Sequence, residues 1–404
     1  MVISPDFCSA NRRRVSVLGS TGSVGSKTVG LLMSDPGAYH VVALTAHRNI
    51  ALLESQVHAL NPDIVVTADP SLYGVLKERL AGIPTEVAAG PEAVIEAASR
   101  PADWVMSCMV GATGLQPTLA AVRQAGVVAL ANKESLVCAG PLVMREAQRY
   151  GCTIVPVDSE HSAIFQVLTA NHRRFLDKII LTASGGPFWK WTRQDMQDAT
   201  PQQAINHPNW SMGAKISVDS ASMMNKGLEL IEACHLFDLS DDQVDVLIHR
   251  ESIVHSMVAY CDGSVLAQMG VPDMSAPISF ALAWPQRMAT SVPPLDLTQV
   301  QSLTFEAPDV QRFPALSLAR SALKGGGGLP IVFNAANEVA VAHFLDSKIR
   351  FVDIARVVEQ TMERSSFCAP VTLPDILDID LAARDVARAL CIAVHGVKSV
   401  SGVV

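Results

Sequence analysis

Short apolar runs alternate with helix-spaced amphipathic stretches along the first 160 residues. Val15–Leu18, His40–Thr45, Asp63–Thr67, Trp104–Cys108, Val127–Leu130 and Cys152–Val157 read as strands. Ile50–Leu60 and Gln116–Gly126 carry the spacing of helices between them. Such alternation implies βαβ units and a mostly parallel sheet, whose ligands bind outside the carboxyl ends of the strands. The pattern changes near residue 178. Lys178–Thr182 predicts a strand running into Ser184-Gly185-Gly186-Pro187, Asn206–Ala214 is polar and aperiodic, and Ser220–Phe237 has the spacing of one helix. Val244–His249, Ile253–Tyr260 and Ser264–Met269 read as strands, the last two joined by a Cys261-Asp262-Gly263 turn. Val292–Leu295 is proline-rich, and the stretch up to Pro314 predicts a linker. Gly325–Gly328 then form a flexible joint before helices expected at Pro330–Phe344, Val352–Glu363 and Leu377–Val394.

The expected fold class is therefore α/β with added parts. A Rossmann-like domain covers residues 1–160, an α+β domain 161–290, a linker 291–314 and an α-helical domain 315–404.

Composition narrows the partners. The 404 residues are 49% hydrophobic and 17% charged, which gives core material for roughly two or three domains. A net charge of -8 argues against nucleic acid as a partner but allows a local basic cluster around an anionic small molecule. Eight cysteines without CxxC pairs suit a reducing compartment better than a disulfide framework or zinc site. No basic-then-apolar leader is present. The longest uncharged run, Trp104–Val122, is broken by Gly111, Gly114 and Pro117 and does not read as a membrane span. A soluble, cytoplasmic protein is expected.

Chemistry concentrates at the strand ends. Gly19-Ser20-Thr21-Gly22-Ser23-Val24-Gly25 follows the first strand and opens a helix, the setting in which backbone N–H groups hold a pyrophosphate. The second strand runs into His47-Arg48-Asn49 with no acid for a ribose 2′-OH. Arg48 is thus a candidate clamp for a 2′-phosphate, favouring NADPH, or an ordinary surface arginine. Val155-Pro156-Val157-Asp158-Ser159-Glu160-His161 reads as a strand ending in two acids one residue apart. In extended backbone both would point to one face, as a site for Mg²⁺ or Mn²⁺ or as partners of nearby bases. Ala131-Asn132-Lys133-Glu134 ends another strand and faces the same crevice, as a ligand contact or a solvated pair.

On the predicted Ser220–Phe237 helix, Asn225, Lys226 and Glu229 share a face. With Ser220 and the Ser184 turn they could bind a phosphate monoester, and Glu229 could add a third metal carboxylate. A solvated face with one ion pair is the alternative. His207-Pro208-Asn209-Trp210-Ser211-Met212-Gly213 has the composition of a lid, or of a loop whose Trp docks on the core.

Taken together, these motifs and their order resemble the 1-deoxy-D-xylulose 5-phosphate reductoisomerases over nearly the full length. Thr182-Ala183-Ser184-Gly185-Gly186-Pro187-Phe188, Val218-Asp219-Ser220, Met223-Met224-Asn225-Lys226-Gly227-Leu228-Glu229 and Asn334-Ala335-Ala336-Asn337-Glu338 add to the match. The resemblance implies an NADPH domain, a catalytic domain with a mobile lid near 205–214, a helical C-terminal domain and a homodimer. It implies metal ligands at Asp158, Glu160 and Glu229, with Lys133 and His207 beside them in catalysis. Substrate contacts fall on Lys133, Ser159, Glu160, Ser184, His207, Ser220, Asn225, Lys226 and Glu229. Cofactor contacts fall on Thr21, Gly22, Ser23, Val24, His47, Arg48, Asn49, Asn132, Glu134 and Gly213.

The implied reaction rearranges 1-deoxy-D-xylulose 5-phosphate, by retro-aldol cleavage and re-addition or by an α-ketol shift, and reduces it to 2-C-methyl-D-erythritol 4-phosphate. About ten residues precede the usual start of the first strand, and nothing in them suggests function. Two rivals share the glycine turn. Semialdehyde or acyl-phosphate dehydrogenases need a nucleophilic cysteine, for which none of the eight has an obvious context. An NADPH sensor would leave the three carboxylates without a role.

Overall fold

The computed structural model describes residues 12–210 and 212–400, with 395–400 described by backbone only. The N-terminal extension with Cys8, Ser211 of the expected lid and residues 401–404 lie outside the described residues.

The N-terminal strands form a seven-stranded parallel sheet ordered β4-β3-β2-β1-β5-β6-β7. These are β1 (Arg13–Leu18), β2 (Tyr39–Ala46), β3 (Ile64–Thr67), β4 (Glu86–Ala89), β5 (Ala102–Ser107), β6 (Ala125–Leu130) and β7 (Thr153–Pro156). Apart from the edge strand β4, their centres are buried on both faces, as expected where crossover helices cover a parallel sheet. Strand order reverses around β1, where Leu18 pairs with Thr45 on one side and Ser107 on the other. That reversal leaves a crevice at the carboxyl ends. The Glu86–Ala89 strand gave no signal, being four residues of a half-exposed sheet edge.

A second sheet, ordered β11-β10-β8-β9, contains β8 (Leu176–Ala183), β9 (Val244–Ile248), β10 (Val254–Tyr260) and β11 (Val265–Met269). β10 and β11 form the hairpin expected around Asp262-Gly263, whose Gly263 has φ 85°. Helices Ala315–Gly325, Leu329–Leu345, Asp353–Arg364 and Leu373–Val400 follow, and Leu181, Leu228, Ile231, Phe333 and Phe344 share one core with the second sheet. The helix Ser275–Ala283 returns to the first sheet, where Trp104 Nε1 donates to Ala281 O at 2.9 Å. It was not read from the sequence because Ala276–Ala283 is almost wholly apolar and shows no period.

Two expectations fail in geometry. β7 stops at Pro156, and Asp158 (φ -52°, ψ 134°) is the N-cap of a helix over Ser159–Val167. Asp158 and Glu160 therefore do not sit on an extended strand. The expected Ser220–Phe237 helix is two helices, Ala214–Ala221 and Met224–Leu236, broken at Met223 with φ 64°. Ser220 lies in the last turn of the first helix, while Asn225, Lys226 and Glu229 lie in the first turns of the second. Periodicity persists across the two-residue break at Ser222-Met223, so sequence spacing did not expose it.

Candidate active site

The cofactor turn is built from backbone. Gly19 has φ 96°, and Gly19 N and Ser20 N donate to Thr45 O at 3.1 and 2.8 Å, tying the turn to β2. A Cβ on Gly25 would lie 2.2 Å from Gly19 O, so only glycine lets the first helix, Ser23–Ser34, pack onto the turn. Gly22 and Ser23 are exposed and Thr21 is half-buried. Gly22 caps the helix without a side-chain hydrogen bond. The helix thus starts with N–H groups facing outward, as an anion site requires.

Ser23 and Val24 line the same cleft as Lys133, Asp158, Ser159, Glu160, Ser184, His207, Ser220, Asn225, Lys226 and Glu229. The cleft holds about 1190 Å³, counting its open mouth. Strand ends of both sheets, the Ser159–Val167 helix and the Met224–Leu236 helix supply its walls.

Asp158, Glu160 and Glu229 each present an oxygen within 4.8 Å of the others. Asp158 Oδ1 accepts from Glu160 N at 3.3 Å, so the helix start, not a strand, turns the two acids toward one point. Lys133 Nζ lies 2.6 Å from Asp158 Oδ2, 2.7 Å from Asn225 Oδ1 and 3.1 Å from Glu229 Oε1. Lys226 Nζ donates to Glu160 Oε1 at 2.9 Å and to Glu229 Oε2. Ser159 Oγ donates to Glu160 Oε2 at 2.6 Å, and Asn225 Nδ2 to Glu229 Oε1.

The ion-pair reading and the cation reading thus meet in one cluster. Two ammonium groups, those of Lys133 and Lys226, face the three carboxylates. Burial and the Glu229 charge push the Glu160 carboxyl up to about 7. Burial opposes ionisation of Asp158 too, but Lys133 and the hydrogen bond from His161 hold it well below the usual carboxylate range. Three carboxylate oxygens within 4.8 Å of one another form an all-oxygen set that fits a hard divalent cation.

Behind the carboxylates lies His161, which is fully buried. Its Nδ1 is 3.2 Å from Asp158 Oδ1 and 3.4 Å from Glu232 Oε2, and its Nε2 is 3.0 Å from Glu229 O. Burial lowers its pKa, but Glu232 and Asp158 outweigh that and raise it to about 9. With acceptors at both ring nitrogens, it braces the Asp158 carboxylate and the backbone of Glu229 as an imidazolium. His161 stood in the quoted motif, three residues after Asp158, but only the tertiary structure brings Glu232 to it.

The expected lid packs on the second sheet through Asn209 Nδ2, which donates to Arg250 O at 2.6 Å and Ser252 Oγ at 2.9 Å. His207 Nδ1 accepts from Asn209 N and Trp210 N at 3.2 and 3.0 Å, so its proton sits on Nε2, 2.9 Å from Ser184 Oγ. Burial brings its pKa down to about 4, and the ring is neutral at pH 7. The Trp210 and His255 rings lie 6.3 Å apart. Trp210 and Met212 line the cleft rather than the core.

Other expected cofactor residues stand outside the cleft wall. Arg48 is 69% exposed and lies 3.2 Å from Asp69. Asn49 Oδ1 accepts from Leu52 N at 3.2 Å, capping the Ile50–Leu60 helix, and His47 O accepts from Thr67 Oγ1 at 2.6 Å. Asn132 caps the Lys133–Tyr150 helix, and its Nδ2 donates to Met109 O, Gly111 O and Glu134 Oε2. Glu134 also accepts from Lys215 at 2.8 Å. Gly213 is exposed at the start of the Ala214–Ala221 helix. Sequence reading missed several cleft residues, among them Lys27, His249, His255 and Met274. Lys27 Nζ is 2.7 Å from Asp273 Oδ1, beside Met274. Met274 precedes the helix that lacked a period, and no local signal marked it.

Known proteins place this arrangement. Residues 15–140 match the family profile described as 1-deoxy-D-xylulose 5-phosphate reductoisomerase. Residues 154–237 match that enzyme's C-terminal domain profile, and 269–386 a further profile described as DXP reductoisomerase C-terminal domain. The chain is 58% identical over 384 residues to the 1-deoxy-D-xylulose 5-phosphate reductoisomerase of Rhodospirillum centenum, covering 95% of this chain and 96% of the relative. It is 52% identical to that of Zymomonas mobilis, covering 94% and 97%. Among solved structures, the Zymomonas mobilis enzyme in complex with NADPH superposes with a TM-score of 0.89 at 50% identity, over 94% of this chain and 99% of that one. A DOX-P reductoisomerase in complex with NADPH, fosmidomycin and magnesium gives 0.89 at 44%, over 94% and 98%. With a parallel sheet ending in a glycine turn, three convergent carboxylates in the same cleft, and relatives of this identity over nearly all its length, the chain belongs to the 1-deoxy-D-xylulose 5-phosphate reductoisomerase family.

Proposed function

We propose that this protein rearranges and reduces 1-deoxy-D-xylulose 5-phosphate to 2-C-methyl-D-erythritol 4-phosphate, using NADPH and a Mg²⁺ or Mn²⁺ ion. One observation carries the reading: the cofactor turn at Ser23-Val24 and the carboxylates Asp158, Glu160 and Glu229 line a single cleft. Asp158, Glu160 and Glu229 hold the ion, which when bound acts as a Lewis acid toward substrate oxygens. NADPH, held at Thr21, Gly22, Ser23, Val24, Asn132, Glu134, Gly213 and the His47-Arg48-Asn49 turn, supplies hydride.

The chain's own side chains do the remaining work. Ser184, Ser220, Asn225 and Lys226 bind the phosphate. Neutral His207 keeps its Nε2 proton directed at Ser184 and so orients that hydroxyl. Lys133 spans Asp158, Asn225 and Glu229 and places positive charge where substrate oxygens gain negative charge. Ser159 orients Glu160. Trp210 and Met212, carried by a lid over 205–214, exclude water once the phosphate is bound. Residues 1–160 serve the cofactor and 161–290 the substrate and ion, with 291–314 linking to the helical domain 315–404. A cytoplasmic homodimer is the proposed state; among the described residues no helix is long and apolar enough to cross a membrane.

The test is oxidation of NADPH by the purified protein with 1-deoxy-D-xylulose 5-phosphate. Turnover is expected only with Mg²⁺ or Mn²⁺ and is abolished by chelator. Metal-independent oxidation, or none with this substrate, would sink the reading.

A further inference from the structure

The Asn334-Ala335-Ala336-Asn337-Glu338 segment lies on the Leu329–Leu345 helix of the C-terminal part, away from the carboxylates. Two neighbouring side chains of this segment reach in different directions. Asn337, fully buried, donates from Nδ2 to Asp219 Oδ1 at 2.8 Å. Asp219 in turn is 2.9 Å from Lys215 Nζ, and Lys215 holds Glu134 at 2.8 Å. Glu338 Oε1 accepts from Ala112 N at 3.1 Å and from Asn334 Nδ2 at 3.2 Å, while Oε2 pairs with Arg384 at 2.6 Å. Gly111, with φ 79°, brings the backbone to Glu338, and a Cβ there would stand 3.1 Å from the carboxylate.

The two reaches close into a ring. The Met109–Gly111 loop at the carboxyl end of β5 accepts from Asn132 Nδ2, and Asn132 also donates to Glu134. One helix of the C-terminal part therefore grips the β5 loop with Glu338 and the Ala214–Ala221 helix with Asn337. Asn132 and Glu134 are suspended between the two grips, and Gly213 starts the gripped helix. With Asn132, Glu134, Asp219 and Asn337 buried, Lys215 and Glu338 partly so, and several contacts charge-assisted, such a ring has little freedom to spread.

We propose that Asn337 and Glu338 are positioning residues for the cofactor, setting the spacing between Asn132, Glu134 and Gly213. This rests on the reading above that these three groups contact NADPH, and it gives the C-terminal helices a part in cofactor binding beyond support of the core. Neither residue touches the carboxylate cluster, so the effect falls on NADPH rather than on the ion.

Glu338→Ala, Glu338→Gln and a control on the same helix, Phe344→Leu, test this. NADPH Kd is read from cofactor fluorescence in the binary complex, beside thermal midpoint and the KM for substrate. Glu338→Ala is expected to raise the NADPH Kd about tenfold, with substrate KM at saturating NADPH within about twofold of wild type. Glu338→Gln, which keeps an acceptor for Ala112 N, falls between. Phe344→Leu lowers the thermal midpoint through lost packing but leaves the Kd unchanged. Wild-type NADPH affinity in Glu338→Ala, or an equal rise in Phe344→Leu at equal loss of midpoint, overturns the inference. A wild-type protein that does not bind NADPH overturns the functional reading and the inference together.

Discussion

The glycine turn and the carboxylate corner share a cleft but are built on opposite principles. The turn uses contiguous residues and presents backbone, held by carbonyl contacts to β2 and by the absence of a Cβ at Gly25. Its geometry is rigid and carries little net charge. The corner takes Lys133, Asp158, Glu160, Asn225, Lys226 and Glu229 from three helices and crowds three acids with two bases. Its charges are crowded, and its protonation is set by burial and by neighbouring charges. A site made of backbone fails when space is lost; a site made of buried charge fails when a charge is lost.

The largest effect is expected at the corner. Glu229→Gln or Asp158→Asn removes a charge that the cation and both lysines need, and kcat should fall about 10³-fold. NADPH affinity in the binary complex should stay near wild type, since the turn is separate. Near-normal turnover of either variant at limiting Mn²⁺ would erase the distinction drawn here. Gly25→Ala tests the turn in turn. With a Cβ 2.2 Å from Gly19 O, the helix must shift, costing about 1–3 kcal/mol and weakening NADPH by more than about tenfold. Gly22→Ala, whose Cβ meets Gly19 O at 3.4 Å, should leave the thermal midpoint near wild type, so weaker NADPH binding there reports the cofactor's own approach to the backbone. Wild-type NADPH titrations for Gly25→Ala would count against a backbone-built site.

A smaller, graded effect comes from pH. Glu160 has its pKa raised to about 7 in the fold, above its unfolded value. Its contribution to the stability of the metal-free protein is present below the unfolded pKa and is lost as pH rises through about 7. Metal binding needs the ionised form, so Mn²⁺ affinity should climb about tenfold per pH unit up to about pH 7 and then level off. Calorimetric titration across that range checks it; affinity that does not change would mean Glu160 is not a ligand. The smallest effect is at Arg48, 69% exposed and shared with Asp69. Arg48→Ala should lower the preference for NADPH over NADH by about threefold to tenfold in kcat/KM ratios, as solvent weakens an exposed contact. An unchanged ratio assigns the 2′-phosphate to other groups.

Much of the site was legible because its parts obey local rules. The Gly19–Gly25 spacing, the strand preceding it and the strand ends at Asn132 and Asp158 follow from patterns that span a few residues. Where the reading went wrong, a local rule had been extended past a break. Asp158 and Glu160 converge because an N-cap turns the chain, and the pair looked extended only because an apolar strand precedes it. Asn225, Lys226 and Glu229 do share a helix face, but Ser220 reaches the cleft from another helix because Met223 turns left-handed between them.

The sequence by itself determined the parallel sheet, the glycine turn and the family, and it named three acids that the fold brings together, since hydrophobic period, glycine placement and motif order are properties of short segments. Only the tertiary structure decided which charges meet. Lys133 lies 96 positions from Glu229, Asp158 meets the former and shares a cluster with the latter, and Asn337 reaches back 118 positions to Asp219. Burial, which raises Glu160 and lowers His207, is likewise a property of the packed interior. Long-range charge contacts and desolvation depend on the enclosing fold, and no window along the chain contains them.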